Sequence, residues 1–296
     1  MTTTDNSVAA DVGPGRRGER TSARGATAGK ATAKKPTARR GALGLLGKIS
    51  LHVVFIGAIL AFWQEETASG RLNPLLVPKP SDVVSQIWLP HNSGTILYNV
   101  QPTLQALAIG FVIGSIIAFV AAVVFSEIPS VGGFFENYIH ALGAIPFMVL
   151  APLLLIWFKT AVEASIFVVA LTSFTSLFAS VYTGLSTTDP RLLELGRILG
   201  ANRLQVLTKL RWWAALPYLF SGLKGALPRA IFSAVVIEFL GTSRGLGYLM
   251  VSDGNNLDTA ALFSDVIVLI IIIRGLLLII RLVESRVLAW RPREHS

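Results

Sequence analysis

Long apolar stretches recur along this chain, and each is close to the length that a helix needs to cross a bilayer. About 20 residues span the hydrocarbon core. Stretches of about this length run over residues 44–63, 103–125, 135–158, 163–184, 218–240 and 260–283. With 52% hydrophobic residues and a mean hydropathy of +0.61, a soluble fold of 296 residues would expose too much apolar surface. The sequence therefore predicts an all-α integral membrane protein with six transmembrane helices.

Within these predicted spans, prolines indicate breaks in the helix and glycines indicate close helix packing. Pro146 and Pro152 interrupt the third span, and Pro228 interrupts the fifth, where it removes a backbone hydrogen bond. A break at membrane depth is tolerated only where protein or a wet cavity surrounds it. In the second span Gly110 and Gly114 form a G-x-x-x-G pattern, which lets helices approach closely. We expect this pattern to serve packing within the chain rather than dimerisation.

Basic residues are distributed unevenly between the two sides of the membrane. Six spans place both termini on the same side, and a cytosolic amino terminus puts nineteen Lys and Arg in cytosolic segments and four in external ones. Because basic residues accumulate in cytosolic segments, this orientation is the predicted one for a multi-pass protein of the cell membrane. It gives a disordered basic cytosolic tail at 1–43, an external connector at 64–98 and a cytosolic tail at 284–296. Clustered charges in the first tail favour contact with anionic membrane lipid, and we expect no nucleic-acid partner.

The sequence lacks the motifs that would make this chain an enzyme. A phosphate-binding P-loop needs G-x-x-x-x-G-K-[ST], whereas residues 25–32 read GATAGKAT, which is one residue too short. There is no cysteine, no H-E-x-x-H zinc motif and no G-x-S-x-G nucleophile elbow, and the four histidines are scattered. We therefore expect no catalytic residue, no metal and no cofactor in this chain. Any ATP would be hydrolysed by another subunit.

The segment between the fourth and fifth spans, residues 190–217, is mixed basic and apolar and is called the coupling loop below. Helix formers dominate residues 193–199, Gly200 interrupts them, Asn202 offers a helix cap, and helical character resumes over 203–210. This pattern predicts two short helices joined by a glycine elbow at the cytosolic face. An ordinary cytosolic loop is the alternative, because basic loops between spans are routine.

The residues of the coupling loop, together with those that follow it, resemble a known family. Glu194, Leu195 and Gly196 are followed by Gly200 and, seventeen residues later, by Pro217. This spacing resembles the "EAA" loop of ABC-importer permeases, in the branch that handles nitrate, sulfonates, taurine and related small solutes. Further groups that resemble that branch in order and spacing lie at 221–230, 236–241 and 245–249.

The resemblance covers residues 75–291, and the chain departs from the family pattern at three places within it. Leu195 and Gly196 stand where two small residues, mostly alanine, are usual. Trp212 and Trp213 stand where an earlier Leu-Pro is common, and Pro228 stands where glycine is usual. These departures concern the details of docking and of the fifth helix rather than the class of protein.

The resemblance implies the fold of a type I ABC importer permease, with a transmembrane type-1 domain at residues 97–283. It also implies a set of residues that dock on a cytosolic ATPase: Glu194, Leu195, Gly196, Gly200, Ala201 and Pro217. The implied partners are two copies of that ATPase, an external solute-binding protein and a second copy of this chain. ATP-driven closure of the ATPase pair would push the paired loops together and switch the permease between inward-open and outward-open states.

Charged residues within the predicted spans are candidates for the translocation path, because placing a charge at the bilayer centre costs at least about 2.5–3.5 kcal/mol. Arg229 and Glu238 match polar positions of the family, whereas Arg274 in the sixth span matches none. We assign these three residues to the path. A buried ion pair is the alternative for Glu238. Arg274 is expected to face the bundle core or the path, where it pairs with a carboxylate such as Glu238 or, less favourably placed, Asp265; contact with an anionic cargo and a lipid-facing position are the alternatives. For Lys224 we expect its amine to reach the cytosolic interface.

Two other kinds of function remain open. An ion-coupled secondary transporter would bind ions at midplane acids in repeated halves, and the sequence shows no convincing internal repeat. A scaffold without transport activity is disfavoured by the charged and proline-broken spans. The substrate also stays open, because net positive charge within the spans suits an anion such as nitrate, a sulfonate or taurine, while a pyrimidine-type solute fits the family as well.

Overall fold

The structure is a computed structural model that describes residues 38–88 and 90–290. Within these residues it contains helices and no strand, as the predicted fold class requires. The helices are α1 (Ala38–Ala68), α2 (Pro80–Trp88), α3 (Pro90–Glu127), α4 (Pro129–Ala144), α5 (Ala151–Trp157), α6 (Ala161–Ser186), α7 (Pro190–Ile198), α8 (Arg203–Val206), α9 (Trp212–Gly241), α10 (Leu246–Asn255) and α11 (Thr259–Val287). A 3₁₀ turn at Phe147–Leu150 precedes α5, and a π-helical turn at Leu207–Arg211 precedes α9.

Several helices extend beyond the predicted spans. Among the described residues, three segments are long and apolar enough to cross a membrane: Gly94–Glu127, Ala161–Ser186 and Thr259–Val287. The connector predicted at 64–98 is largely helical, because α1 runs to Ala68 and α2 and the start of α3 follow. Of the predicted tail, residues 1–37 lie outside the described residues, and 38–43 form the first turns of α1. At the other end α11 includes the first residues of the predicted 284–296 tail, whose last six residues also lie outside the described part.

The chain divides into two units, Met1–Val54 and Phe55–Ser296. Within the described part of the first unit, residues 38–54 are helical. The second unit holds all the features discussed below, and α6 is its central helix, packed between α3 and α9.

Close contact between α3 and α6 depends on the G-x-x-x-G pattern. A methyl group added at Gly110 would overlap the carbonyl of Ile166 and the side chain of Val169, and one at Gly114 would overlap the backbone of Ala170. Because lipid is as apolar as the helices themselves, such close backbone approach is what stabilises helix pairs in membranes. The pattern therefore serves packing within the chain, as predicted.

The third predicted span is broken at Pro146, as its prolines indicate. Helix α4 ends at Ala144, Ile145 is extended with ψ 123°, and the 3₁₀ turn follows before α5 begins. Pro152 lies in the first turn of α5, where its missing N–H is not needed. The break opens the chain next to α6 and α9, where the cavity described below is found.

The fifth predicted span differs from expectation in two ways. Helix α9 begins at Trp212, so Pro217 lies inside it rather than at its start. Pro228 also lies inside α9, which continues unbroken to Gly241. The helix is maintained there because Leu227, Ala230 and neighbouring side chains are buried, so that packing offsets the single lost hydrogen bond.

Candidate functional site

The coupling loop folds as two short helices joined at a glycine, as the sequence predicts. The Asp189 carboxylate accepts a hydrogen bond from the Arg191 N–H at 2.9 Å and caps α7. Gly200 follows α7 with φ +71°, a left-handed conformation that favours glycine. Asn202 and Gln205 then form a reciprocal capping box, with 2.8 and 2.9 Å hydrogen bonds, that starts α8.

Gly196 and Ala201 hold the two short helices together. The Ala201 N–H donates to the Gly196 carbonyl at 2.9 Å. Gly196 is buried, and a methyl group added to it would lie 3.0 Å from Leu210 Cδ1. The small residue at this position thus lets α7 pack against the π-helical turn, whereas Glu194 projects as an exposed residue.

An apolar surface on the coupling loop is left uncovered. Its residues have exposed fractions between 44% and 75% and are Leu192, Leu195, Ile198, Leu199 and Leu204. Exposed leucine and isoleucine side chains grouped on a loop are typical of a surface that another protein covers. Of the docking residues predicted from the sequence, Leu195 belongs to this surface, Glu194 and Gly200 are exposed on the same loop, and Gly196 is buried.

The coupling loop continues directly into α9. In the π-helical turn the Trp212 N–H donates to the Leu207 carbonyl, which is five residues earlier in the chain. Such wide turns are rare and frequent at functional sites. Pro217 lies five residues into α9, so the coupling loop is joined to the fifth span through the π-helical turn and not at a helix start at Pro217.

A cavity with one polar wall and otherwise apolar lining lies where the break after α4 meets α6 and α9, and it is called the Arg229 cavity. Its volume is about 210 Å³. Its lining comprises Gly143, Ile145, Pro146, Phe147, Thr172, Thr175, Ser176, Arg229, Phe232, Ser233 and Val236. Hydroxyl groups from two helices and one guanidinium therefore face a space whose lining contains no carboxylate.

Hydrogen bonds organise the polar wall of the Arg229 cavity. Arg229 Nη1 donates to Ser176 Oγ at 3.4 Å. The hydroxyls of Thr172 and Ser233 lie 3.0 Å apart, and Ser233 donates to the Arg229 carbonyl at 2.8 Å. Ser176 thus lines the cavity, whereas Ser173 on the same helix donates to the Val169 carbonyl and serves packing.

Glu238 belongs to a separate, buried hydrogen-bond network. It is 3% exposed, and its Oε2 accepts hydrogen bonds from Thr103 Oγ1 and from the Gly247 N–H, both at 2.9 Å. Thr103 in turn accepts from the Leu246 N–H at 2.9 Å. Within the part of the chain that the structure describes, no cation pairs with Glu238, so the predicted alternative of an ion pair is wrong.

Asn99 completes the Glu238 network. Its side-chain oxygen accepts from the N–H of Gly245, whose φ is +133°, at 2.9 Å. The network thus joins α3, the end of α9 and the start of α10. The sequence analysis did not identify Asn99 and Thr103, although two polar residues four apart at the start of an apolar helix mark one face of that helix.

The remaining charges within the spans are placed as follows. Lys224 Nζ contacts both carboxylate oxygens of Glu284 at 2.8 Å, so it forms an ion pair between α9 and α11. Glu284 is the first residue of the predicted cytosolic tail, and the interfacial position of the Lys224 amine stays a prediction. Arg274 is exposed on α11 and has no partner among the described residues. The expected pairing with Glu238 or Asp265 is wrong, because Glu238 has the contacts above and Asp265 is buried at 1% exposure. Arg229, Glu238 and Arg274 are not brought together.

Comparisons with known proteins agree with this architecture. Residues 103–288 match the family described as the binding-protein-dependent transport system inner membrane component. The chain is 25% identical to the putative aliphatic sulfonates transport permease protein SsuC of Bacillus subtilis over 265 residues, covering 90% of this chain and 94% of that protein. It is 29% identical to the riboflavin transport system permease protein RibX of Chloroflexus aurantiacus over 232 residues, covering 78% and 87%.

A solved structure of the inward-facing MetNI methionine ABC transporter shares the fold. Its TM-score is 0.58 at 17% identity, and the match covers 69% of this chain and all of that one. The family match extends over most of the helices described above, from the start of the predicted second span to the end of α11. The chain therefore belongs to the family of inner membrane components of binding-protein-dependent transport systems, the permease subunits of ABC importers.

Proposed function

We propose that this permease carries a small organic or inorganic oxyanion, of the sulfonate, taurine or nitrate type, and that Arg229 contacts it in the membrane. The observation that supports this proposal is the Arg229 cavity. Its lining contains one guanidinium, four hydroxyl groups and no carboxylate. Guanidinium groups match the oxygens of such anions in geometry and charge.

The broken helix after α4 adds to this argument. Non-helical backbone at membrane depth is tolerated where it lines a cavity, and the segment from Ile145 to Phe147 does so here. The similarity to a permease named for aliphatic sulfonates points to the same class of cargo. The volume of about 210 Å³ suits a small solute.

The exposed apolar surface of the coupling loop is the proposed contact with a cytosolic ATPase. The chain has no P-loop of its own, so ATP would be bound and hydrolysed by two copies of that separate subunit. One permease chain offers one coupling loop, and two ATPase subunits therefore call for two copies of this chain about a twofold axis. In this arrangement both termini are cytosolic, and a binding protein delivers cargo from outside.

Transport measurements test the cargo proposal. The permease is reconstituted in proteoliposomes with its ATPase and its solute-binding protein, and uptake of labelled taurine, an alkanesulfonate, nitrate and a neutral pyrimidine is compared. We expect ATP-dependent uptake of an anion. Arg229→Gln should lower that uptake at least about tenfold, because a charge-assisted contact contributes about 1.5–3 kcal/mol, whereas Arg229→Lys should retain part of it.

Arg244→Gln is the matched control, since Arg244 is an external arginine that stacks on the Tyr98 ring at 3.7 Å. It should leave uptake within about twofold of the wild type, as surface substitutions usually have small effects. Retention of the ATPase in pull-downs shows that each variant still assembles. Uptake of the neutral solute alone, or anion uptake that is unchanged by Arg229→Gln, would contradict the proposal.

A further inference from the structure

A basic cavity of about 440 Å³ lies between the end of α3 and the coupling loop, and none of the functions above uses it. Residues from three parts of the chain line it: Ser126, Glu127, Leu193, Arg197, Ala201, Arg203, Val206 and Arg211. Three arginines and one glutamate leave its lining with a net charge of about +2 at neutral pH. The basic cavity therefore favours a ligand with negative charge.

Much of this positive charge is not neutralised by the protein. Arg211 Nη1 donates to Glu127 Oε1 at 3.1 Å and to the Ser126 carbonyl at 3.4 Å, but its Nε is buried without an acceptor. Within residues 38–88 and 90–290, Arg197 and Arg203 form no ion pair. The cavity therefore holds two arginines, Arg197 and Arg203, whose charge no carboxylate among these residues neutralises, and an oxyanion would supply the missing counter-charge.

An apolar groove of about 510 Å³ lies next to the basic cavity along the same elements. Its lining residues are Phe119, Val123, Leu185, Leu207, Thr208 and Trp212. On α3, Phe119 and Val123 line the groove and Glu127 lines the basic cavity, and residues four apart lie on one face of a helix. The π-helical turn supplies the other shared wall, with Leu207 on the groove and Arg211 on the cavity.

Two tryptophans place this junction at the level of the membrane surface. Trp212 contacts Phe119 edge-to-face with ring centroids 5.3 Å apart, and Trp213 packs on Trp290 at 6.0 Å. Tryptophan is enriched at membrane–water interfaces, because its ring is apolar and its N–H is polar. Trp212 and Trp213 are also the residues at which the chain departs from the usual family pattern. The apolar groove and the basic cavity, which both draw residues from α3 and from the π-helical turn, match the two ends of a phospholipid.

We propose that an anionic phospholipid of the cytosolic leaflet binds here, with its phosphate in the basic cavity and an acyl chain in the apolar groove. The inference rests on the proposed cytosolic placement of the coupling loop. The bound lipid would join α3 to the coupling loop through Arg197, Arg203 and Arg211. Anionic lipid would thereby stabilise the loop in the position from which it contacts the ATPase.

Quenching of tryptophan fluorescence tests this proposal directly. The full-length chain is placed in phosphatidylcholine nanodiscs of two kinds. One kind contains a fraction of phosphatidylglycerol with brominated acyl chains, and the other contains the same fraction of brominated phosphatidylcholine. Trp212 is one of six tryptophans, so its signal is the difference between the wild type and Trp212→Phe. We expect brominated phosphatidylglycerol to quench this difference signal more strongly than brominated phosphatidylcholine does, at the same mole fraction.

Charge substitutions show whether the basic cavity causes the preference for phosphatidylglycerol over phosphatidylcholine. Arg197→Gln combined with Arg203→Gln should weaken phosphatidylglycerol binding about 30-fold, since each basic residue near an anionic surface contributes a factor of roughly five. The matched control is Arg191→Gln with Lys209→Gln, which removes the same charge from exposed loop positions that line neither space. The control should keep the preference of the wild type.

Three outcomes would overturn the lipid proposal. The first is equal quenching of the Trp212 signal by both brominated lipids. The second is displacement of phosphatidylglycerol by soluble glycerol phosphate at matched concentration, which would identify a site for free phosphate. The third is loss of the quenching when the ATPase is added, which would show that the ATPase or the second copy covers the groove. None of these readouts depends on cargo, so failure of the cargo proposal remains a separate result.

Discussion

Replacement of Glu238 by alanine removes the acceptor that links α3, the end of α9 and the start of α10. Two donors, Thr103 Oγ1 and the Gly247 N–H, lie 2.9 Å from the same oxygen, Oε2. Thr103 also lies 3.3 Å from the Asn99 carbonyl, so its hydroxyl can redirect its hydrogen bond. The Gly247 N–H has no such alternative, because it projects from the first turn of α10 into a buried space.

The expected loss of stability follows from the two hydrogen bonds that Glu238 accepts. A buried donor without an acceptor costs about 1–3 kcal/mol, and the loss of the second hydrogen bond adds about 1 kcal/mol. Glu238→Ala should therefore destabilise the protein by about 3 kcal/mol, which corresponds to a melting temperature roughly 6–12 °C lower for a chain of this size. Glu238→Gln should cost less than about 1 kcal/mol, because its amide oxygen can occupy the position of Oε2 and accept from both donors.

Thermal unfolding of the detergent-purified chain, followed by tryptophan fluorescence, measures both variants. Glu163→Ala is the control, because it removes an exposed carboxylate from the first turn of α6 and should cost less than about 1 kcal/mol. If Glu238→Ala melts with the wild type, the network does not stabilise the fold. If Glu238→Gln is as unstable as the alanine variant, charge rather than hydrogen-bond acceptance is the important property, and the argument is wrong.

Four further predictions concern other parts of the chain. Gly200→Pro should leave membrane insertion intact but abolish ATPase pull-down, since proline cannot adopt φ +71°; undiminished binding would remove the docking role of the loop. Lys224→Met should lower the free energy of unfolding by roughly 1–2 kcal/mol, because it leaves Glu284 unpaired. A second substitution, Glu284→Leu, should restore most of the lost stability in thermal unfolding. If stability is not restored, the unpaired carboxylate does not cause the loss. Burial raises the pKa of Asp253 above its ordinary value of 3.8. The protonated carboxyl therefore favours the folded state, and this contribution to stability is lost as the pH rises above 3.8. Asp253→Asn should raise the melting temperature at neutral pH and leave it unchanged near pH 3, and an equal shift at both pH values would contradict the raised pKa. Arg274→Leu should leave the thermal stability of the single chain unchanged, because this exposed residue has no partner among the described residues; a loss of stability that appears only in the assembled transporter would indicate a partner on the second copy.

Features that depend on neighbouring residues could be predicted from the sequence. The glycine elbow at Gly200, the cap at Asn202 and the helix break at Pro146 are all present in the structure. Each results from local chemistry, namely a left-handed backbone angle, a side chain that accepts from nearby N–H groups, or a missing donor. The all-helical membrane class could be predicted for a similar reason, since the apolar length of a segment is a property of the segment itself.

Features that join distant helices were decided only by the tertiary structure. Glu238 meets Thr103 across 135 positions of the chain, and Lys224 meets Glu284 across 60. Residue types and spacing alone assign Glu238 to the translocation path and predict a carboxylate beside Arg274, and they do not identify Glu284 as the partner of Lys224. In a membrane, lipid-facing and protein-facing sides of a helix are similarly apolar, so hydrophobic periodicity does not determine how each helix is rotated about its axis. That rotation, set by close contacts such as those of Gly110 and Gly114 with α6, decides which charges are paired, which line the Arg229 cavity and which stay exposed.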